Sequence, residues 1–232
     1  MSRRLISTLL ILAGIVVLGI VGYGYFRGYQ GQEEGRRAWE QARVASPAPV
    51  PTLHVPTPAA AAPEAENPGI EGAPTPAPEQ GEPPYPQGQP VARLRIPAAK
   101  MDYVVFGGDD PATLEKGPGH VPGSELPGEQ TNRNNCVITG HRDKHFRRLA
   151  GVKTGERIEL ETRKGTLYYR VVSREVVLPN AVRVLQPTEK PRLTLITCYP
   201  FNWVGPAPKR LVIVAEPTPE KSASAGGDRH PS

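Results

Sequence analysis

The sequence has little cysteine, few aromatic residues and no block of basic residues. Its 232 residues include only two cysteines, Cys136 and Cys198, and Phe, Trp and Tyr together make up 6%. The formal net charge of +5 is spread along the chain, without the basic and aromatic stripe that is typical of nucleic-acid binding. No C-x-x-C or H-E-x-x-H spacing and no calcium cluster is present. We therefore expect no metal, no other cofactor and no nucleic-acid partner.

The two cysteines leave two alternatives open. In an exported protein Cys136 and Cys198 can form a disulfide. Alternatively Cys136 is a small buried hydrophobe and Cys198 a free thiol. Cys136 lies five residues before His141, and in a continuous strand this odd spacing puts the two side chains on opposite faces.

Three reactive side chains lie at the ends of apolar, β-type runs. Cys198 ends the run 194–198, Arg210 begins another, and His141 follows the run 135–139. A histidine can favour the thiolate and later protonate a leaving amine. An arginine keeps its charge and can stabilise the oxyanion of a tetrahedral intermediate. The set predicts acyl transfer through a thioester, with hydrolysis if water attacks and transpeptidation if an amine attacks.

These residues also carry a family resemblance. Residues 194–198, T-L-I-T-C, resemble the sortase signature T-L-x-T-C, and Arg210 stands where sortases carry their essential arginine. Residues 137–143, V-I-T-G-H-R-D, resemble the sortase histidine segment, and C-Y-P-F and G-P-A-P-K-R around the last loop are most similar to class D sortases. Over residues 91–216 the resemblance implies an all-β fold, a closed eight-stranded barrel with short helices. It also implies that His141, Cys198 and Arg210 are the catalytic set.

Other residues are candidates for supporting roles. Asp143 can orient His141 by accepting from its second ring nitrogen, or it can be a solvated loop carboxylate. Thr197, Tyr199 and Trp203 can contact an extended substrate peptide, or they can serve as strand and loop packing.

Two other histidines compete with His141. His120 follows a glycine in a glycine-rich loop, which suits a turn role, and His145 can lie at the rim of the cleft. The matched segment favours His141.

The chain divides into four parts by composition. Residues 1–27 hold an uncharged apolar run, 5–26, which is long enough for a bilayer core and is flanked by arginines. A cleaved signal peptide is the competing interpretation. Residues 28–90 are predicted to be a helical stem followed by a Pro-rich, extended tether. Residues 91–216 form the catalytic domain, and 217–232 a disordered tail.

Within the catalytic domain, alternation and turn signals predict seven or eight short strands. These lie at 91–96, 102–106, near His120, and at 135–139, 157–162, 166–172, 193–198 and 210–215, and residues 174–178 either continue or follow the strand 166–172. A short helix is predicted to begin at Pro111, because Asp110 suits the N-cap position and Pro111 the first helical position.

The apolar run predicts a single-pass enzyme of the cell membrane, and the sortase resemblance implies that its catalytic domain lies on the extracytoplasmic side. The resemblance also implies a thiol peptidase and transpeptidase that cleaves an L-P-x-T-G-like or L-P-x-T-A-like sorting motif in exported proteins. The acyl group would pass to an amine on a cell-wall peptide or a second protein. The alternatives are a peptidoglycan L,D-transpeptidase and a non-catalytic scaffold domain on a stalk.

Overall fold

The computed structural model describes residues 3–45, 85–129 and 133–218. The Pro-rich part of the predicted tether, 46–84, and the predicted tail from 219 onward lie outside the described residues.

Within residues 85–129 and 133–218, eight strands close into a barrel in the order β1-β2-β3-β4-β7-β8-β6-β5. The strands are β1 (Pro90–Ile96), β2 (Met101–Gly107), β3 (Gly119–His120), β4 (Asn135–Gly140), β5 (Arg157–Thr162), β6 (Gly165–Val177), β7 (Arg192–Tyr199) and β8 (Lys209–Pro217). β2 pairs with β3, and β4 with β7, in parallel, whereas the other neighbours are antiparallel. The predicted closed eight-stranded barrel is confirmed.

The barrel interior is filled by alternate side chains of the strands. Leu94 and Leu160 from β1 and β5 meet Leu195 and Ile213 from β7 and β8, and all four are fully buried. Because successive strand residues point to opposite faces, the intervening residues face outward. On β7 and β8 the outward residues are also apolar, since a second buried cluster around Ile196 covers this side.

Short helical segments connect the strands. They are α2 (Pro111–Lys116) and three 3₁₀ turns at Pro97–Ala99, Arg147–Gly151 and Val182–Leu185. α2 begins as predicted, because the Asp110 carboxylate accepts from Ala112 N–H (3.0 Å) and Thr113 N–H (3.1 Å). The Thr113 hydroxyl also donates to this carboxylate, and these bonds hold the pKa of Asp110 below its usual value.

One long helix, α1 (Arg3–Ala45), covers both the predicted anchor and the predicted stem. Its first part, from Ser7, is long and apolar enough to cross a membrane, and its side chains there are exposed. Its second part packs on the outside of the barrel, where Trp39 is 1% exposed. The predicted stem is thus helical, and it is docked on the barrel.

Glycines let α1 approach the barrel closely. The buried face of the helix carries Gly28, Gly31 and Gly35, spaced three and four residues apart. A Cβ on Gly31 would lie 2.9 Å from the Cα of Lys116, and one on Gly35 would lie 2.5 Å from the Phe106 ring. A larger residue at either position would have to push the helix away.

Gln32 joins α1 to the edge of β2. β3 pairs only with the last two residues of β2, so at Val104 the edge of β2 that points away from β1 has no strand neighbour and faces α1. Gln32 Nε2 donates to Val104 O (3.1 Å) and to Lys116 O (2.9 Å), and its Oε1 accepts from Val104 N–H (2.9 Å). The side-chain amide therefore replaces part of a missing strand. Further along the helix, Arg43 forms an ion pair with Glu161 of β5.

Candidate active site

The register of the barrel brings the ends of β4, β7 and β8 together. β4 and β7 are parallel with Gly140 opposite Thr197, so the residues that follow, His141 and Cys198, are neighbours. β8 runs antiparallel to β7, with Arg210 directly opposite Cys198. The three predicted catalytic residues therefore lie side by side at one end of the barrel.

Two side-chain hydroxyls tie β4 to β7 at this end. Thr197 Oγ1 donates to Gly140 O (2.7 Å), and Thr139 Oγ1 donates to Ile196 O (3.2 Å). A Cβ on Gly140 would lie 3.0 Å from the Phe146 ring, so a larger residue just before the histidine would require Phe146 to shift slightly. These contacts make the position of His141 relative to β7 rigid.

The guanidinium of Arg210 is half-buried and partly fixed by its own loop. Its Nη1 donates to Ala207 O (3.2 Å) and Lys209 O (3.0 Å). Nη1 thus fixes the guanidinium group of Arg210 next to Cys198.

The loop from β7 to β8 is also attached to the turn that carries His141. Arg142 Nη2 donates to Trp203 O (2.8 Å) and Gly205 O (3.0 Å). The turn itself is closed by Phe146 N–H, which donates to His141 O (3.0 Å). The loop and the histidine turn therefore form one connected rim.

An apolar groove of about 200 Å³ on the outer face of the barrel leads to this rim. Thr139 and Ile196 lie along its floor, the 3₁₀ turn Val182–Leu185 forms a wall, and Arg210 lies at its end. Ile196 and Cys198 are two residues apart on β7 and share a face, so the groove runs toward the thiol. The sequence predicted no element at this wall, because four residues in a 3₁₀ turn give no periodic pattern.

Glu115 of α2 is a site residue that the sequence did not indicate. Its Oε1 lies 3.9 Å from His141 Nε2, and its Oε2 is paired with Lys144 Nζ. The hydrogen bond from Lys144 holds the pKa of Glu115 below its usual value, and the positive charges nearby act in the same direction. Asp143, predicted as the orienting group, is exposed on the turn. Glu115 comes from a different element, and only the folded barrel brings it close to the histidine.

The three predicted substrate contacts have different surroundings. The Thr197 side chain is buried and engaged with Gly140. Tyr199 packs edge-to-face on Phe201, and both rings pack against the barrel interior. Trp203 is 49% exposed, and its indole N–H donates to Pro206 O (3.0 Å).

The two rival histidines are buried. His120 lies on β3, with Nε2 2.7 Å from Glu125 O and Nδ1 bonded to the Tyr85 hydroxyl. The His145 ring packs edge-to-face against the Tyr103 ring. Burial lowers the pKa of each to about 4, so both are neutral at pH 7. His120 thus lies on the short strand predicted near it, and the suggested turn role is wrong.

Both cysteines are free thiols. Cys136 is buried in the barrel interior, where burial raises the pKa of its thiol far above the usual value. Cys198 is partly exposed at the rim. The disulfide alternative is therefore wrong for this structure, and Cys136 packs as a small hydrophobe, as the other alternative predicted.

A closed β-barrel with a free thiol beside a histidine and an arginine has the layout of a thiol-dependent acyl-transfer enzyme. The family model described as a sortase domain matches residues 94–218, more than half of the chain. The chain therefore belongs to the sortase family.

Individual relatives agree with this assignment. Sortase D of Bacillus subtilis (strain 168) is 29% identical over 212 residues, which cover 91% of this chain and 96% of that protein. The structure of a lid mutant of sortase A from Corynebacterium diphtheriae is 33% identical with a TM-score of 0.52, covering 62% of this chain and 75% of that one. The structure of sortase C from Clostridium perfringens SM101 is 27% identical with a TM-score of 0.52, and the match covers 58% of this chain and 72% of that one.

The family defines the class of reaction. Sortases are cysteine transpeptidases that act on proteins with sorting motifs and on amine acceptors. The predicted enzyme class and the resemblance to class D are confirmed, and the match favours the sortase prediction over the two alternatives.

Proposed function

We propose that this sortase uses Cys198 as its nucleophile, His141 as its general acid and base, and Arg210 as the group that binds the reacting carbonyl oxygen. The observation that supports this proposal is the register that pairs Cys198 with Arg210 and aligns it with His141. The same arrangement leaves Cys198 partly exposed, whereas Cys136 is buried.

The proposed reaction has two halves that balance. The Cys198 thiolate attacks the scissile carbonyl carbon, and Arg210 donates to the oxygen that becomes negative. The C–N bond then breaks, and the His141 imidazolium gives its proton to the leaving amine. In the second half an acceptor amine attacks the thioester and His141 takes up its proton. The new amide forms and the thiolate is released.

The proposed substrate is an L-P-x-T-G-like or L-P-x-T-A-like sorting motif in an exported protein. The groove suits such a segment because its lining is mostly apolar, including Ile196 and the Val182–Leu185 wall. An extended peptide lying in it would place its apolar side chains there and its scissile bond at Cys198. The acceptor is an amine on a cell-wall peptide or a second protein.

The predicted supporting residues divide between positioning and contact. We expect Thr197 to fix β7 against β4 and Tyr199 to hold the loop on the barrel, since both are engaged within the protein. Trp203 as a peptide contact and Asp143 as an orienting group stay predictions.

The proposed location is the cell membrane, with α1 as a single-pass anchor and the barrel on the extracytoplasmic side. The apolar, exposed first part of α1 supports the anchor. The domain limits 1–27, 28–90, 91–216 and 217–232 stay predictions.

The test is capture of the thioester by the full chain in lipid nanodiscs. A panel of sorting peptides is added, and intact-protein mass spectrometry follows the acyl adduct. We expect an adduct on Cys198 that is lost in Cys198→Ala and retained in Cys136→Ala. No adduct and no cleavage across the panel would contradict the proposal.

The roles of the other two residues are tested by kinetics. His141→Ala and Arg210→Ala should each lower the rate of thioester formation by about 10²-fold or more, because proton transfer and oxyanion stabilisation each contribute that much. Arg163→Ala, a change at an exposed arginine on the β5–β6 turn, is the matched control. Equal rates for Arg210→Ala and this control would rule out the proposed role of Arg210.

A further inference from the structure

The orientation of the barrel relative to the apolar part of α1 is fixed because α1 is one unbroken helix. α1 passes from exposed apolar residues into the docked part without a break. Tyr23, Phe26 and Tyr29 are exposed on the helix at this transition. Aromatic side chains of this kind favour the membrane–water interface. Gly28, the first buried glycine, lies only about 3 Å further along the axis than Phe26.

Gly28 packs beside the catalytic end of the barrel. A Cβ there would lie 3.3 Å from Glu115 O and 4.0 Å from His145 Nε2. Glu115 is in turn 3.9 Å from His141. The docked helix then leads away from this end toward Glu161, which pairs with Arg43. The rim with His141 is therefore the part of the barrel that lies closest to the apolar half of α1.

The chemistry of this rim suits an anionic lipid surface. Residues 141–148 contain four basic residues (Arg142, Lys144, Arg147 and Arg148) and one acidic residue, Asp143. With Glu115, which pairs with Lys144, the rim has an excess of two positive charges. Arg147 and Arg148 are exposed. Basic residues this close to a bilayer are attracted by anionic headgroups.

The loop attached to this turn presents apolar side chains to solvent. Val204 is 94% exposed and Trp203 is 49% exposed, and Arg142 holds the backbone of their loop. Neither side chain lines the groove that leads to Cys198. An exposed tryptophan and valine beside arginines match the composition of interfacial membrane contacts.

We propose that the catalytic end of the barrel is a membrane-contact surface, in which Trp203 and Val204 enter the headgroup region of an anionic bilayer while the basic turn 141–148 binds lipid phosphates. This inference rests on the anchoring of α1 proposed above.

The chain offers a direct test because it has two tryptophans, Trp39 and Trp203. Full-length Trp39→Phe, with Trp203 as its fluorophore, is reconstituted in nanodiscs of phosphatidylcholine and phosphatidylglycerol with brominated acyl chains. We expect Trp203 emission to fall about twofold or more relative to unbrominated lipid, because the indole lies at the interface. The matched variant, Trp203→Phe, reports on Trp39, which lies about 20 Å further along α1 from Phe26 and should be unaffected.

A charge test complements the quenching. Arg147→Glu combined with Arg148→Glu should reduce the quenching of Trp203 in anionic nanodiscs, since the attraction to headgroups is removed. Arg163→Glu with Lys190→Glu is the control, because both residues are exposed at the opposite end of the barrel. An equal loss in the two double variants would contradict a specific basic surface.

The outcomes separate this inference from the proposed function. Unquenched Trp203 in nanodiscs that still form the Cys198 thioester would overturn the membrane contact alone. If a sorting peptide then shifts Trp203 emission, the loop is a peptide wall instead. Quenching without any thioester would overturn the catalytic proposal alone. A chain that does not stay with the nanodisc would overturn the anchor and the membrane contact together.

Discussion

At the scale of single residues, the carboxylate beside His141 belongs to Glu115 and not to the nearby Asp143. The pairing is partly exposed, with the two side chains 3.9 Å apart, and Lys144 holds the other oxygen of Glu115. Such a partly exposed contact can orient the imidazole, and its contribution is modest.

Glu115→Gln should lower the rate constant of thioester formation by up to about fivefold, since an exposed ion pair contributes up to about 1 kcal/mol. The apparent affinity for the peptide should not change, because Glu115 does not line the groove. Single-turnover kinetics over a range of peptide concentrations measure both quantities, and Glu115→Asp should restore part of the rate.

Glu129→Gln is the control, because Glu129 also forms a half-exposed pair, at 2.6 Å with Lys164, away from the site. If Glu115→Gln and Glu129→Gln leave the rate equally unchanged, the carboxylate does not position the histidine.

The three proposed catalytic residues, whose roles stay predictions, stand out in the sequence because each one ends, begins or follows a strongly apolar strand. Glu115 could not be predicted, since it belongs to a six-residue helix whose sequence says nothing about its distance from His141. The hydrogen bond of Thr197 could not be predicted from the sequence either. Strand alternation shows that it differs in face from Cys198, but only the parallel pairing with β4 gives its hydroxyl the Gly140 carbonyl.

At the scale of elements, the glycine face of α1 determines how closely the helix approaches the barrel. Gly35→Ala gains about 1 kcal/mol of helix propensity but forces a Cβ to 2.5 Å from the Phe106 ring. Overpacking of this kind costs about 1–3 kcal/mol, so we expect the docked half of α1 to loosen. Hydrogen exchange should then show faster exchange at the Val104 amide, which donates to Gln32.

Gly22→Ala is the matched control, because no atom lies within 4 Å of a Cβ at Gly22. It receives the same gain in propensity without the clash. Unchanged protection at Val104 in Gly35→Ala would show that Phe106 accommodates the methyl group and that close approach is not required.

Most strands could be predicted from alternation, and the exceptions have physical causes. The sequence leaves open whether residues 174–178 continue the strand 166–172 or follow it, because the register of β6 against β8 shifts between Val171 and Ser173. One extra residue at this irregularity, Val172, reverses the alternation halfway along a single strand. The docking of α1 was not predicted, because three glycines and a glutamine resemble a linker until a partner surface is known.

At the scale of the whole molecule, two buried histidines make the barrel sensitive to acid. Burial lowers the pKa of His120 and His145 to about 4, whereas in the unfolded chain they titrate near 6.5. Above about pH 6.5 both histidines are neutral in the folded and in the unfolded chain, and their contribution to stability is fully present. Between about pH 6.5 and 4 only the unfolded chain binds the protons, so stability falls by roughly 3 kcal/mol per histidine.

Thermal melting between pH 7 and 4 measures this loss. His145→Phe should keep the contact with Tyr103 and remove about half of the histidine contribution to the pH dependence. A variant that melts with the same pH dependence as the wild type would show that His145 does not contribute to the loss.

The two ends of segment 46–84 are attached to the same body. On one side Arg43 is paired with Glu161, and on the other Tyr85 is bonded to His120. We therefore expect the length of this segment to have little effect on the distance between the barrel and the anchor. Doubling its length should cost only about 0.6 kcal/mol. The rate of peptide cleavage in nanodiscs should stay unchanged, whereas a strong dependence on length would indicate a true tether.

The docked half of α1 also has a practical consequence for recombinant work. Phe106 and Val104 on β2 are buried beneath the helix, and the Val104 backbone relies on Gln32. A shortened version that starts at β1 would expose these apolar side chains together with an unpaired strand edge, and such a surface favours self-association. Light scattering should reveal self-association of that version, whereas one that begins near residue 27 should remain monodisperse.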